Sequence, residues 1–463
     1  MNMMPPATAR LKFEQEVLAR LFLDLGRIDY AVLRNHEQLP FRLGARDIDV
    51  VVRPADLRQA VGIVVRLARD FGLRLADHYA DERMTQLAFM KREGQEIFDL
   101  KIDFFTSSQV FGIELMSAGE MLTGLRRQNG VAIVSDVVML LDKWLFHLVV
   151  GRPLHPKYNA RFGAIAHEHG RRLQASLSPL LGRAEADRQV AVIASGAASD
   201  LPCLPRGRRI RMLAGMARRR GVAGLPLMAR FLAERLRNRI SPHGFLVSVS
   251  GPDGSGKTTV IDLVLEQLRQ IYGADSVEYH HFRPSVLPRI AEMAMATGAA
   301  GKIDDDYSRP HRARPSGPGG SLARLGYYGL DYVLGYVHVV RPALTDRKIV
   351  LFDRYYHDMI CDPGRSRIRL PDRCLRAAGR LLPLPRLAFF IKVAAKAAHL
   401  RKQELSVDQI AALNRRYGDL VRRGWMIEIG NSEAPDRAAA AIVGHILELR
   451  EAAAERALKV ASR

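Results

Sequence analysis

The sequence predicts an α/β protein whose C-terminal half is a parallel sheet with helices on both faces. Residues 241–463 alternate apolar runs with amphipathic stretches, which is the strand and helix order of such a sheet. Residues 136–240 are mostly helical in pattern, and residues 1–135 mix short helical and strand-like pieces, as in an α+β domain. We therefore expect three domains with these boundaries, which suits a chain of 463 residues.

The composition is typical of a protein from a reducing compartment. The three cysteines are scattered and form no CxxC pair, which argues against a disulfide framework or a zinc site. The N-terminus does not read as a secretory leader, and no apolar run approaches the roughly 18 residues of a membrane span. We expect a cytoplasmic protein.

The net charge of +21 is compatible with several partners: nucleic acid, an anionic membrane, phosphate-rich substrates, or water alone. The arginines are densest in a connector, residues 206–240, which has one acidic residue, Glu234, and interleaved apolar residues. The connector either makes peripheral contact with an acidic membrane or polyanion, or packs between domains. Its single aromatic residue, Phe231, is too little for a base-stacking platform, so we expect no nucleic acid partner.

A phosphate-binding loop follows the first apolar run of the C-terminal half. Residues 251–258 match G-x-x-x-x-G-K-[ST], after a predicted strand, Phe245–Ser250, and before a predicted helix that stops at Gly273. Glycines let backbone N–H groups surround phosphates, and the helix N-terminus favours anions. We expect Lys257 to bridge the β- and γ-phosphates of ATP and Thr258 to hold Mg²⁺. The predicted cofactor-binding residues are Gly251, Pro252, Asp253, Gly254, Ser255, Gly256, Lys257, Thr258 and Thr259.

A second apolar run, Ile349–Phe352, ends in Asp353 and Arg354. A carboxylate at a strand end beside the loop can make a second Mg²⁺ contact, and an adjacent guanidinium can stabilise charge on a transferred phosphoryl group. The alternative interpretation is an ordinary ion pair at a strand end.

The loop GPDGSGKTT, followed by a strand ending in DRYY, resembles the thymidylate kinase group of P-loop nucleoside monophosphate kinases over roughly residues 244–449. The resemblance implies a P-loop NTPase fold in which Asp253 meets the acceptor. It implies that Asp353 and Arg354 act in catalysis, and that Arg401 and Lys402 belong to a lid over the phosphates. Residues from Trp425 onward are similar to the family's last strand, adenine-side loop and closing helix.

The acceptor side departs from that family. Residues 280–284 read HHFRP where thymidylate kinases carry Arg-Glu-Pro, and residues 301–321 form a polar segment expected to be a mobile surface insertion. These departures favour ATP as donor without implying thymidylate as acceptor. An anionic acceptor would suit four nearby arginines, which could equally be solvated: Arg283, Arg365, Arg367 and Arg369.

Acidic residues near the N-terminus suggest a second site. Asp47 and Asp49 lie two apart at a predicted strand, so their side chains share one face roughly 7 Å apart. A later strand-like run, IFDLKIDFF, can bring Asp103, or with less support Asp99, beside them. Three carboxylates in this arrangement suit two-metal nucleotidyl transfer; the alternative is a pair of solvated edge-strand acids.

This segment resembles the nucleotidyltransferase superfamily of DNA polymerase β over about residues 25–160. The resemblance makes Asp47, Asp49 and Asp103 metal ligands. It departs at the family's Gly-Ser turn, where this chain has Gly44 and Ala45. Four later residues could hold phosphates or simply line a helix surface: Lys143, His147, Lys157 and Tyr158.

We therefore expect an ATP-dependent, Mg²⁺-assisted kinase that phosphorylates a small anionic or hydroxyl acceptor, fused to a nucleotidyltransferase-like domain. The acceptor would be a nucleoside monophosphate, a sugar or a sugar phosphate. Two alternatives stay open: an ATP-binding switch or scaffold, and a nucleic-acid processing protein.

Overall fold

The computed structural model describes residues 6–93, 96–288, 317–431 and 434–461. Contacts within the chain group it into two compact units. One comprises Met1–Leu236 with Arg450–Arg463, and the other Arg237–Leu449. The three-domain division expected from the sequence stays a prediction.

The second unit contains a five-stranded sheet in which every neighbouring pair is parallel. From one edge to the other its strands are β11 (Val277–His281), β12 (Ile349–Asp353), β10 (Phe245–Ser250), β13 (Leu387–Lys392) and β14 (Ile427–Gly430). Alternate strand residues enter two separate cores. Val247 and Leu351 pack with helices Lys257–Tyr272 and Pro435–Ala461, whereas Leu246 and Phe352 pack with the helices of the opposite face. The predicted α/β fold, a parallel sheet with helices on both faces, is confirmed.

The helices of the opposite face follow β11 and β12 in the chain. Their bounds are Pro318–Gly335, Arg341–Thr345, Tyr356–Cys361, Asp372–Gly379 and Val407–Arg422, with a π-helical turn at Tyr336–Val340 and a short helix at Ala395–Arg401. Gly335 is required because a Cβ there would collide with the carbonyl oxygen of Pro284.

The first unit has a mixed seven-stranded sheet and a separate hairpin. The strands of the sheet are β1 (Tyr30–Val32), β2 (Ile48–Val52), β3 (Arg74–Ala80), β4 (Met84–Glu93), β5 (Glu96–Phe105), β8 (Arg126–Gln128) and β9 (Val131–Ile133). They lie in the order β3-β4-β5-β2-β1-β9-β8, and the hairpin pairs β6 (Ser107–Val110) with β7 (Ile113–Ser117). Helices Pro6–Leu25 and Leu57–Asp70 bury apolar faces in a core shared with this sheet. This arrangement is the α+β fold expected from the sequence.

The helical middle belongs to the same unit up to Leu236. Its helices are Asp136–Val150, Asn159–Leu181, Arg183–Ala194, Arg206–Arg220 and Leu225–Ile240; a short helix, Ala118–Met121, precedes them. Trp144 lies at the centre of their core and donates from Nε1 to Gln189 at 3.0 Å. Among the described residues we find no helix of the length and apolarity that crossing a membrane requires.

The polar segment 301–321 lies mostly outside the described residues. Its last residues are not a surface loop: Pro318–Ser321 form the first turn of helix Pro318–Gly335. Ser321 is fully buried and accepts a hydrogen bond from the Arg369 backbone N–H at 2.9 Å. The apolar residues that follow, including Leu325 and Tyr332, draw this turn onto the core.

Candidate functional site

The loop between β10 and helix Lys257–Tyr272 has the backbone that phosphate binding needs. Gly251, Gly254 and Gly256 all have positive φ, at 157°, 80° and 80°. A side chain at Gly254 would strike the Ala398 carbonyl oxygen, and a Cβ at Gly256 would lie 2.7 Å from Asn431 Nδ2. Only glycine therefore lets the loop curl between these neighbours into the kind of turn that can present backbone N–H groups to a phosphate.

Asp353 and Arg354 lie at the C-terminal end of β12, beside this loop. Register pairing places Asp353 opposite Val249 of β10, the strand that leads into the loop. Asp353 is buried, and its Oδ1 has no hydrogen-bond partner among the described residues, while His281 lies 3.3 Å from Oδ2. A buried carboxylate oxygen without a donor fits a Mg²⁺ contact. Thr258, expected from the sequence to hold the same ion, is exposed at the second residue of helix Lys257–Tyr272.

Asp253, the third residue of the loop, is held by two arginines. Arg354 donates to Oδ1 at 2.7 Å and Arg365 donates to Oδ2 at 3.0 Å. Burial favours the neutral carboxyl, but the two guanidinium groups outweigh it and lower the pKa of Asp253 to about 2. Arg365, expected from the sequence on the acceptor side, therefore contacts the phosphate-binding loop itself.

Asp358 is a site residue that the sequence reasoning missed. Its carboxylate is 2% exposed and accepts from Arg354 at 2.8 Å, from the Tyr417 hydroxyl at 2.7 Å, and from the Ser250 hydroxyl. It also accepts from the Tyr355 backbone N–H and so caps helix Tyr356–Cys361. An acid at the third residue of a helix that follows a strand end was the available signal.

Lys257 begins the helix after the loop and is buried. Burial, together with the nearby Arg354, lowers the pKa of Lys257 to about 8. Arg401 also approaches the loop, since its Nη1 lies 3.5 Å from the point that a Cβ on Gly256 would occupy. Lys402 is exposed and pairs with Glu404 at 3.3 Å, although its charge also favours ionised Asp253.

Asn431 is a second residue that the sequence reasoning did not single out. It follows β14, is buried, and donates from Nδ2 to the Ser255 carbonyl oxygen at 2.8 Å. Asn431 therefore holds the loop from the β14 side of β10, whereas Asp353 and Arg354 approach it from the β12 side. This position follows from the strand order and is not visible in the sequence.

The other arginines of the acceptor side differ in their surroundings. Arg283 pairs with buried Asp331 at 3.0 Å and stacks over the Tyr328 ring, which identifies a structural ion pair. Arg367 is half-buried and Arg369 is exposed. Of the four arginines suggested for an anionic acceptor, only Arg365 has a described contact with the loop.

In the first unit, Asp47, Asp49 and Asp103 come together. Asp49 of β2 stands opposite Asp103 of the parallel strand β5, and one carboxylate oxygen of each of the three lies within 4.8 Å of the others. Burial and the neighbouring carboxylates, only partly offset by Arg34, raise the pKa of Asp49 to about 6. Concentrated negative charge of this kind fits a divalent cation.

Basic and amide groups surround these three acids. Arg34 approaches Asp49 with Nε at 2.6 Å, and Gln86 donates to Asp103 at 2.8 Å. Lys143 is close enough for Asp49 to influence its pKa, which burial lowers. His147, by contrast, is buried with its ring bonded to the Arg152 carbonyl oxygen, and Lys157 lies over the Tyr158 ring.

Comparison with known proteins gives partial matches to thymidylate kinases. The thymidylate kinase of Oenococcus oeni is 32% identical over 124 residues, which are 27% of this chain and 51% of that protein. That of Dehalococcoides mccartyi is 33% identical over 90 residues, 19% of this chain and 43% of that protein. The chain thus spans about half the length of the curated relatives it matches.

A solved thymidylate kinase from Ehrlichia chaffeensis is 18% identical, and the match covers 44% of this chain and 99% of that one with a TM-score of 0.30. No family model matches the chain.

Proposed function

We propose that the unit Arg237–Leu449 is a kinase that moves the γ-phosphoryl group of ATP to a small acceptor. The observation that carries this proposal is the loop 251–258, whose positive-φ glycines and buried Lys257 lie beside the Asp353–Arg354 strand end. The partial similarity to thymidylate kinases supports a nucleotide-dependent phosphotransferase.

In this proposal each side chain has a defined task. The loop N–H groups and Lys257 bind the phosphates, and bound Mg²⁺ would neutralise charge on the β- and γ-oxygens. Thr258 and Asp353 would hold the metal, Arg354 and Arg401 would face the transferred group, and Asp253 would orient the acceptor. Asp358 keeps Arg354 aligned through the 2.8 Å bond.

The departures at residues 280–284 leave the acceptor class open between nucleoside monophosphates, sugars and sugar phosphates. The test is a phosphoryl-transfer screen with radiolabelled ATP and Mg²⁺ over these three classes. Label transferred to at least one class by the wild type, and to none by Asp353→Asn, is the expected result. ATP binding without any labelled product would instead favour the switch or scaffold alternative.

We propose a second activity, metal-dependent nucleotidyl transfer, for the first unit. The observation that favours it is the convergence of Asp47, Asp49 and Asp103 with Lys143 and Arg34 nearby. The missing serine after Gly44 would leave the backbone and Lys143 to hold the triphosphate. Binding of Mn²⁺ by the wild type and its loss in Asp47→Asn/Asp49→Asn, measured by titration calorimetry, would support the site. Equal Mn²⁺ binding by both proteins would contradict it.

A further inference from the structure

The helix Leu225–Ile240 has apolar residues on its outward face as well as on the face that contacts the rest of the unit. Its inward positions include Leu227, Phe231 and Glu234, all only partly exposed. Phe231 contacts the Phe111 ring at a centroid distance of 6.3 Å, and Arg230 donates to the Asp81 carbonyl oxygen at 3.1 Å. These contacts fix which face of the helix points outward.

The outward face forms an apolar stripe. At 100° per residue its four members fall within about 80° of one another, and their centre lies about 130° around the helix axis from the midpoint between Phe231 and Glu234. The stripe consists of Leu225 (59% exposed), Met228 (40%), Leu232 (63%) and Leu236 (61%), and Val222 (82%) lies in the 3-10 turn Gly221–Gly224 just before the helix. Single exposed apolar residues are ordinary on protein surfaces, but a contiguous row of this kind marks an interaction surface.

Positive charge flanks the stripe. Arg235 is exposed and borders the stripe on the Met228 side, with its guanidinium 5.6 Å from the Phe231 ring centroid. The preceding helix, Arg206–Arg220, is anchored in the core by Met212 and Met216 and adds further exposed arginines: Arg206, Arg208, Arg211, Arg218 and Arg219. The same region contains one acidic residue, Glu234.

We infer that this surface binds the face of an anionic phospholipid bilayer. Leucines and methionine would enter the boundary between headgroups and acyl chains, while arginines contact lipid phosphates through their long stems. A nucleic acid would match the arginines but would leave the apolar stripe in water. An acidic bilayer matches both features at once.

The experiment is co-sedimentation of the full-length protein with vesicles, of phosphatidylcholine alone or with about one-third phosphatidylglycerol. We expect binding to the anionic vesicles only, weakened by raising NaCl from about 50 to 500 mM. Leu232→Ser/Leu236→Ser should lower the partition coefficient at least about tenfold. Arg235→Gln should lower it about fivefold, which corresponds to about 1 kcal/mol for the one charge removed.

The matched control is Leu23→Ser, which removes another leucine, 70% exposed, from helix Pro6–Leu25 of the same unit and should bind like the wild type. If the double leucine variant does not fold, Leu232→Trp gives a second measurement, a blue shift of its emission on anionic vesicles. The inference is overturned if the wild type does not bind the anionic vesicles, or if Leu232→Ser/Leu236→Ser binds them as well as the wild type. So does self-association that the leucine variant abolishes without any vesicle binding, which would identify a second copy as the occupant.

Discussion

Arg354 and Asp253, 101 residues apart in sequence, are joined by a hydrogen bond from Nη2 to Oδ1 at 2.7 Å. The bond ties the end of β12 to the phosphate-binding loop, and Arg354 reaches it from a backbone with φ of 72°. Because the same guanidinium is also bound by Asp358, the charge that would face a transferred phosphoryl group is held in one orientation.

Replacing Lys257 tests whether the phosphate-binding loop supports phosphoryl transfer. In Lys257→Ala we expect phosphoryl transfer to fall at least about 100-fold, since a preorganised cation aimed at the phosphates is lost. The melting temperature should change little, because the substitution also removes the cost of keeping the Lys257 charge buried. Initial rates and thermal unfolding measure the two effects.

The control for that variant is Lys348→Ala, at the opposite end of β12, where the lysine pairs with Glu278 at 3.1 Å. It should keep wild-type turnover. Unchanged turnover in Lys257→Ala would show that the loop does not act as a kinase site.

Replacing Gly254 tests the loop backbone. Gly254→Ala places a Cβ at φ of 80° against the Ala398 carbonyl oxygen. We expect the free energy of unfolding to fall by about 1–3 kcal/mol and ATP affinity to drop with it. Gly326→Ala, at an exposed helical position with nothing within 4 Å, should instead stabilise the protein by up to about 1 kcal/mol. Denaturant titrations that rank the two variants equally would contradict the loop geometry.

Arg354 and Arg365 both donate to Asp253, so their contributions to the free energy of unfolding should depend on Asp253. At pH 7 we expect Asp253→Asn to lower the free energy of unfolding by about 2 kcal/mol, because the folded-state pKa lies near 2, below its ordinary value. Asp253→Asn/Arg365→Gln should cost less than the sum of the single variants. Urea denaturation of the four proteins measures the coupling, and strictly additive losses would show that the 3.0 Å contact contributes nothing.

His357 should make stability depend on pH. Burial lowers its pKa to about 4, and its Nδ1 has no hydrogen-bond partner among the described residues. The unfolded chain therefore binds the proton more readily between about pH 6.5 and 4, so stability falls as the pH drops through this window, by roughly 3 kcal/mol.

The measurement is the unfolding free energy at pH 7 and at pH 4.5, for wild type and His357→Gln. The variant should lose less stability on acidification than the wild type. If both proteins lose the same unfolding free energy between pH 7 and pH 4.5, protonation of a group other than His357 causes the loss.

Local chemistry in the sequence was enough to predict the loop, its flanking strand and helix, and the α/β class. Glycine spacing and apolar periodicity are properties of short stretches, so they can be read without knowing how distant segments pack. The end of the segment 301–321 was mistaken for a loop because its Pro and Gly residues outweighed, on sequence alone, the buried contacts of Ser321 and Leu325.

By itself, the sequence determined the glycine-rich loop after β10 and the apolar strands β10 and β12 that flank it in the fold. The tertiary structure decided that Arg365 and Asn431 contact that loop, that Asp358 holds Arg354, and that Leu225, Leu232 and Leu236 face outward. The physical reason is that these relationships depend on strand order and on which helix face finds a partner. Both are set by packing between segments far apart in the chain, which no local pattern records.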